Sequence, residues 1–305
     1  MKFIGALAFV MACATSYSQS CCCTGAGANY SILPNLNHHV IGLRASYKSL
    51  YSEMRSLNPE NNGRVSTQHL NTFELLGRFN LTDRLQLTAF VPYHFITQSQ
   101  SNSTAHVNGL GDMSLLFQYQ LLNPLTCTGK KTKHQLRLGI GTKLPFGKFD
   151  MDKQQLFTTT LQTGTGSVDF MGSAIYTFRF NDFGFNSAAT YRINTANTHQ
   201  YRFGDKLQLL QSFFYTIPIK EVVLMPTVGF NYEYQLLNSF RQQKLTYTGG
   251  QFVNAQVGFD IYYKSFAFTS SVSPALMNQL NWSGENKNRY GFEAGVFYNF
   301  KTKTN

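Results

Sequence analysis

The amino-acid sequence predicts an all-β protein: a closed, antiparallel transmembrane β-barrel of about twelve strands, forming a single domain after an amino-terminal signal peptide. The main observation is that apolar and polar residues alternate with a period of two in many successive segments. This is typical of strands whose two faces meet different surroundings. The second observation is composition. Charged residues make up 13% of the chain and aromatic residues 15%, whereas charged residues average about 25% in soluble domains.

The clearest alternation lies in three strands between residues 109 and 180, each with one apolar, aromatic face and one polar face. The apolar positions are Met113, Leu115, Phe117, Tyr119 and Leu121; then Leu136, Leu138, Ile140, Thr142 and Leu144; then Val168, Phe170, Gly172, Ala174, Tyr176, Phe178 and Phe180. The pattern fits a membrane barrel with lipid outside and water inside. It also fits one sheet of a soluble sandwich.

The remaining segments extend the pattern to twelve strands. They lie at about 39–53, 67–81, 85–97, 113–121, 135–144, 168–180, 183–194, 205–216, 221–236, 251–263, 266–277 and 289–301. Short connections near 83, 182, 218 and 264 alternate with longer ones, and only 123–133 is long on the short side. Outer-membrane barrels show this asymmetry, with the short turns on the periplasmic side. Both termini are therefore predicted to be periplasmic.

Three glycine-containing motifs follow one another in the middle of the chain. Residues 109–112 read Gly-Leu-Gly-Asp, 144–148 read Leu-Pro-Phe-Gly-Lys, and 163–170 read Thr-Gly-Thr-Gly-Ser-Val-Asp-Phe. Glycine at strand ends allows positive φ or close backbone approach. The order of the motifs resembles an outer-membrane β-barrel family assigned to transport in the meta-pathway of phenol degradation. The resemblance implies a location in the bacterial outer membrane and the passage of small, hydrophobic or aromatic solutes.

The amino terminus predicts export. Residues 1–20 read as a signal peptide, with Lys2 ahead of an apolar run at 3–14 that is too short to span a bilayer. Lipoprotein processing is the alternative, at 10–13 or at 19–21. The domain prediction is thus a signal peptide at 1–20, a cysteine-containing lead-in at 21–37 that could plug the lumen, and the barrel at 38–305.

Three consecutive cysteines stand in the lead-in. Cys21, Cys22 and Cys23 are candidate ligands for a soft metal such as Cu(I) or Zn. The alternatives are a disulfide between this triplet and Cys127, free thiols, or a lipid anchor. Segment 37–47 is similar to the first strand of exported barrels that carry a cysteine-glycine cluster ahead of it. That resemblance assigns no role to the cysteines.

Thirteen charged residues are predicted to line the lumen, seven of them cations and six anions. They are Arg44, Lys48, Glu74, Arg78, Asp112, Arg137, Lys143, Asp169, Arg179, Arg192, Glu233, Asp260 and Glu293. One interpretation is a polar pathway for solutes. The other is an internal salt-bridge network that holds a narrow barrel shut, because interior charges must be paired or hydrated. A twelve-stranded barrel is intermediate between filled and open ones.

The function predicted from these features is a passive outer-membrane channel and not an enzyme. The alternatives are a barrel enzyme acting on lipids, for which His94 on an inner face is the candidate, and a metal-handling or structural barrel. No Gly-x-Ser-x-Gly motif is present, and no cofactor is expected. The net charge of +11 could indicate a protein that binds nucleic acid. An exported protein does not meet nucleic acid, so this class is excluded. The expected partners are membrane lipid and a small solute, in an undetermined oligomeric state.

Overall fold

The computed structural model describes residues 39–54, 64–100, 103–122, 132–149, 161–246, 248–280 and 284–300. The predicted signal peptide, the lead-in with its three cysteines, and Cys127 lie outside the described residues, so the metal and plug predictions stay predictions. In the described ranges there is no helix of the length and apolarity that crossing a bilayer requires.

The described residues form seventeen strands. They are β1 (His39–Met54), β2 (Arg64–Asn80), β3 (Leu85–Gln100), β4 (Ser103–Leu110), β5 (Met113–Leu122), β6 (Thr132–Leu144), β7 (Asp169–Phe180), β8 (Phe183–Ile193), β9 (Tyr201–Arg202), β10 (Lys206–Tyr215), β11 (Ile217–Ile219), β12 (Val222–Gln235), β13 (Ser239–Phe240), β14 (Gln243–Lys244), β15 (Gly250–Tyr263), β16 (Phe266–Leu280) and β17 (Gly284–Phe300).

Fourteen of these strands close into a barrel with twelve positions around its wall. β4 and β5 share one position because both pair with β3, and β10 and β11 share another because both pair with β12. β1 pairs with β17, so the first and last strands form the closing seam. β9, β13 and β14 form a separate small sheet. The predicted closed antiparallel barrel of twelve strands is confirmed, and closure leaves no unpaired sheet edge facing lipid.

The outer face carries the apolar residues that the alternation predicted. Ile140, Val257 and Phe170 are 73%, 57% and 55% exposed, which is the expected state of side chains that meet lipid. Aromatic rings mark both ends of this surface, as in the aromatic girdles of membrane barrels. At the end with the short connections, hereafter the turn end, the contacting rings include Phe79, His39, Phe300, Tyr298, Phe266 and Phe268. At the opposite loop end they include Tyr47, Tyr290, Phe73, Phe95 and Tyr93.

Several predicted loops are wrong because the strands continue through them. β3 and β4 form one long hairpin across most of the predicted loop at 98–108, and β16 and β17 cover most of 278–288. The predicted turn at 217–220 contains β11. Beyond the bilayer both faces of a hairpin meet water, so polar residues occupy both faces while the backbone pairing continues. The alternation therefore disappears before the strand ends.

Cysteine labelling on intact cells tests which end of the barrel faces outward. Gln243 lies in exposed β14 at the loop end, whereas Asp182 lies in the turn between β7 and β8 with 49% of its side chain exposed. We expect a membrane-impermeant maleimide to label Gln243→Cys and to spare Asp182→Cys until the outer membrane is permeabilised. The unsubstituted protein is the blank for its native cysteines. Labelling of Asp182→Cys alone would reverse the topology.

Candidate functional site: the barrel lumen

An apolar layer that the sequence does not predict fills part of the lumen. Buried residues from ten of the twelve wall positions pack there as one cluster. They are Val40, Leu76, Phe90, Leu116, Met171, Phe214, Met225, Tyr262, Ala267 and Phe297, each no more than 9% exposed. All of them point inward, because their sequence neighbours carry the exposed outer face. Most lie in the half of the barrel nearer the turn end. The interior is thus not a continuous polar channel.

Ion pairs join the inner faces of neighbouring strands on the loop side of this layer. Arg44 Nη2 lies 2.8 Å from Glu74 Oε1, and Arg44 Nη1 lies 3.8 Å from Glu293 Oε2. Lys206 Nζ lies 2.5 Å from Glu233 Oε1. Lys206 was not among the predicted lumen residues, although it is only 7% exposed. Both charge signs therefore occur together and are largely neutralised by each other.

The thirteen predicted lumen residues are not all equally placed. Nine are under one tenth exposed: Glu74, Arg78, Asp112, Arg137, Lys143, Asp169, Arg192, Glu233 and Asp260. Arg44, Lys48 and Glu293 are partly buried. Arg179 differs from the rest, because its side chain is 33% exposed and lies 3.7 Å from Asp182 in the turn. Its Nε donates to the carbonyl of Asn181 at 2.7 Å. Arg179 therefore lies at the rim of the barrel rather than inside it.

Residues 161–168, here called the strap, fold into the loop end of the barrel immediately before β7. Leu161, Thr163, Thr165 and Ser167 are each 2–3% exposed. Leu161 packs with Leu70 of β2 and Ile96 of β3, and these strands lie four and three wall positions from β7. The strap thus crosses the interior from one side of the wall to another. The sequence predicts only a connecting loop here.

Asp112 fastens the strap to the wall, and it does so at the point where the three glycine motifs meet. Its Oδ2 accepts hydrogen bonds from the backbone N–H of Thr165 at 2.9 Å and from the Thr165 hydroxyl at 2.8 Å. Its Oδ1 accepts from the N–H of Gly147 at 3.1 Å. The single carboxylate of Asp112, between β4 and β5, therefore binds both the segment that follows β6 and the strap.

Lys143 lies between two buried carboxylates, and the three side chains are here called the latch. Lys143 Nζ lies 2.6 Å from Asp112 Oδ2 and 2.8 Å from Asp169 Oδ2, with side-chain exposures of 3%, 4% and 0% respectively. The lysine also donates to the Thr165 hydroxyl. Asp169 accepts from the hydroxyl of Ser167 at 2.9 Å and from the N–H of Thr195 at 3.0 Å. The second carboxylate is therefore held by backbone and hydroxyl donors as well as by the lysine.

Two glycines of the strap are required by its path. A Cβ on Gly164 would lie 2.5 Å from both Asp112 Oδ1 and Gly147 Cα, so no larger residue fits against the latch. Gly166 has φ of 68°, in the left-handed region that glycine adopts without strain. The glycine spacing of the third motif is therefore a consequence of how the strap approaches Asp112.

The connections on one side of the loop end pack over the strap. Asn197 Nδ2 donates to the Thr165 carbonyl at 3.0 Å. Phe149 contacts the rings of Tyr201 and Phe203, and these two rings are 2–3% exposed. The small sheet of β9, β13 and β14 lies in the same group of connections. The strap is thereby covered by protein on its outer side.

His94 is placed as a packed interior residue. Its Nδ1 lies 2.8 Å from the Thr72 hydroxyl, and a Cβ on Gly111 would lie 2.4 Å from its Nε2. Among the described residues no serine is hydrogen-bonded to it, and there is no group of three His, Cys, Asp or Glu side chains that could hold a metal ion. The hydroxyl next to His94 is thus that of a threonine, and the described part of the lumen contains no serine–histidine pair for hydrolysis.

A closed barrel with an apolar outer belt, aromatic girdles and a charged interior defines an outer-membrane β-barrel protein. The family model described as "Putative MetA-pathway of phenol degradation" matches residues 59–300. The chain belongs to this family, which confirms the resemblance predicted from the glycine motifs.

Solved structures agree with the fold. An outer membrane channel from Pseudomonas putida F1 has a TM-score of 0.63 and 14% sequence identity, with 90% of this chain and 100% of that chain covered. The β domain of a Bordetella autotransporter has a TM-score of 0.50 and 14% identity, with 87% and 100% covered. At this identity the likeness shows the fold alone. No curated protein matches the chain in sequence.

Proposed function

We propose that this protein is a passive outer-membrane channel for small solutes, narrowed by the strap at the loop end and by the apolar layer toward the turn end. The observation that carries the proposal is the strap itself. A segment of about eight residues lies inside the barrel, and hydrogen bonds from Thr165 to Asp112 hold it against the buried ion pairs of Lys143. A barrel that served only as a wall would not need a latched segment across its interior.

The two interior regions indicate the class of solute. Paired charges such as Arg44 with Glu74 and Lys206 with Glu233 offer polar partners along the wall. The apolar layer then favours a solute whose body is apolar, because burying its surface there is favourable by about 25 cal/mol per Å2. We therefore propose small amphipathic or aromatic solutes, which agrees with the phenol pathway that the family description names.

The thirteen predicted charged residues, together with Lys206, are proposed to line the pathway, with Arg179 at its turn-end rim. The lead-in at 21–37 is proposed to restrict the turn end further, since it precedes β1 on that side. Cys21, Cys22 and Cys23 would then stand at the turn-end mouth, where a metal ion or a disulfide to Cys127 would fix the lead-in. If the Tm falls when a chelator is added, a bound metal ion, and not a disulfide, fixes the lead-in.

Permeability in liposomes tests both parts of the proposal. The mature chain should conduct small ions in planar bilayers and admit small solutes in swelling assays, and a chain lacking residues 21–37 should conduct more. A barrel that is folded but sealed in both forms would contradict the channel. Equal permeability of the two folded forms would contradict only the role of the lead-in.

A further inference from the structure

A second polar region lies at the turn end of the lumen, away from the latch. Strand register brings it together: Gln86 of β3 pairs with Gln118 of β5, and Gln120 of β5 pairs with Arg137 of β6. Asn80 of β2 pairs with Gln86. These side chains line one small cavity, together with exposed residues of the turn at 82–84.

Arg137 is the buried charge of this cavity. It is 4% exposed, and its Nη1 donates to Gln86 Oε1 at 3.2 Å, while Gln86 Nε2 donates onward to Asn80 Oδ1 at 2.7 Å. Its Nε and Nη2 have no hydrogen-bond acceptor in the described protein. The guanidinium is permanently charged, and an unpaired buried charge is costly.

The neighbouring amides of Gln118 and Gln120 add further N–H donors. Gln118 Nε2 and Gln120 Nε2 are buried without a protein partner, and the two side chains are 4% and 7% exposed. Arg137 forms no ion pair within the described ranges, and Asp83 stands on the exposed rim of the cavity. Residues 1–38 and 123–131, which border this end in sequence, contain no Asp or Glu at all. The buried part of the cavity thus presents unpaired N–H donors of Arg137, Gln118 and Gln120 around one buried positive charge, while Asp83 and Arg84 lie on its exposed rim.

We propose that Arg137, Gln118 and Gln120 form a binding site for a small anion at the turn end of the lumen. The cavity has room for about one water-sized group. A halide ion can take the place of that group, and so can one oxygen of a carboxylate that belongs to an organic solute. The site is independent of the proposed channel function, because an anion can bind there in a sealed barrel as well.

Thermal unfolding of the purified protein in detergent tests the site. At constant ionic strength, sodium chloride should raise the unfolding midpoint above its value in sodium gluconate, because the bulky hydroxylated chain next to the gluconate carboxylate keeps that carboxylate out of the cavity. Sodium acetate forms the second arm: a rise with acetate equal to that with chloride identifies a carboxylate oxygen as a sufficient ligand, and a rise with chloride alone identifies a halide site. The absence of any difference among the three salts would overturn the proposal and leave water as the occupant.

Substitutions show which residues cause the rise of the unfolding midpoint with chloride. Arg137→Gln should abolish the chloride response, whereas Arg179→Gln, which removes an arginine at the rim, should keep it. Gln118→Leu and Gln120→Leu keep the guanidinium and should each weaken the apparent chloride affinity about tenfold, the usual loss for one hydrogen bond to a charged partner. These two variants keep the test valid if Arg137→Gln does not fold. An unchanged chloride response in the folded variants would overturn the assignment.

Discussion

Replacing Lys143 with methionine should release the strap and raise the permeability of the barrel. The substitution leaves the carboxylates of Asp112 and Asp169 buried without the cation that lies 2.6 and 2.8 Å from them. Breaking a buried ion pair in this way costs about 3–5 kcal/mol, which changes the ratio of latched to released strap by about a hundredfold or more. Single-channel conductance should increase, and proteolysis should cut within the strap.

Lys206→Met is the matched control for this experiment. It also removes a buried lysine from a close carboxylate, Glu233 at 2.5 Å, but it touches no residue of the strap. We expect the control to lower the free energy of unfolding and to leave the strap protected from protease. Equal conductance gains in both variants would mean that loosening of the wall, and not release of the strap, opens the lumen.

Replacing Phe230 with arginine should destabilise the barrel by about 2–4 kcal/mol, the usual cost of a cation facing lipid near mid-membrane. Phe230 is 44% exposed on the outer face of β12. The adjacent Asn231 points inward, where its Oδ1 accepts a hydrogen bond from Gln208 Nε2 at 3.4 Å. Asn231→Arg should therefore cost far less.

Urea unfolding in lipid vesicles measures the difference between these two neighbouring substitutions. Both variants add the same charge one residue apart on the same strand, so differences in expression or net charge cancel. A free energy of unfolding that falls equally in the two would show that the assigned faces of β12 are wrong.

The fold could be predicted because every side chain that faces lipid must be apolar. This requirement is visible along each strand without knowledge of its partners, as in the apolar series from Met113 to Leu121. The inner face obeys no such rule. Phe90 stands between Ala89 and Val91, so both faces are apolar there, and the sequence gives no sign that Phe90 belongs to a layer inside the lumen. Lys206 was missed for a similar reason, since Leu209 and Leu210 are both apolar and obscure the faces of β10.

The latch could not be predicted from the sequence because it depends on the register in which neighbouring strands pair. The three motifs were recognised, but Lys143 meets Asp169 only because β6 and β7 pair with these two residues opposite each other. A shift of one residue would turn every side chain of the strand to the other face. The strap turns inward because Leu161 contacts Leu70 and Ile96. No local sequence pattern predicts this contact between distant residues.

The latch also bears on the order in which the barrel assembles. Asp112 and Lys143 are 31 residues apart in the chain, whereas the seam joins His39 near one end to Phe300 near the other. Because loop-closure entropy grows with the logarithm of loop length, closing the seam costs about 2 kcal/mol more chain entropy than forming the latch. We therefore expect β5, β6 and β7 to form with the strap already docked. The remaining strands would then close around a strap that is already in place. The strap would not have to enter the completed barrel through its open end.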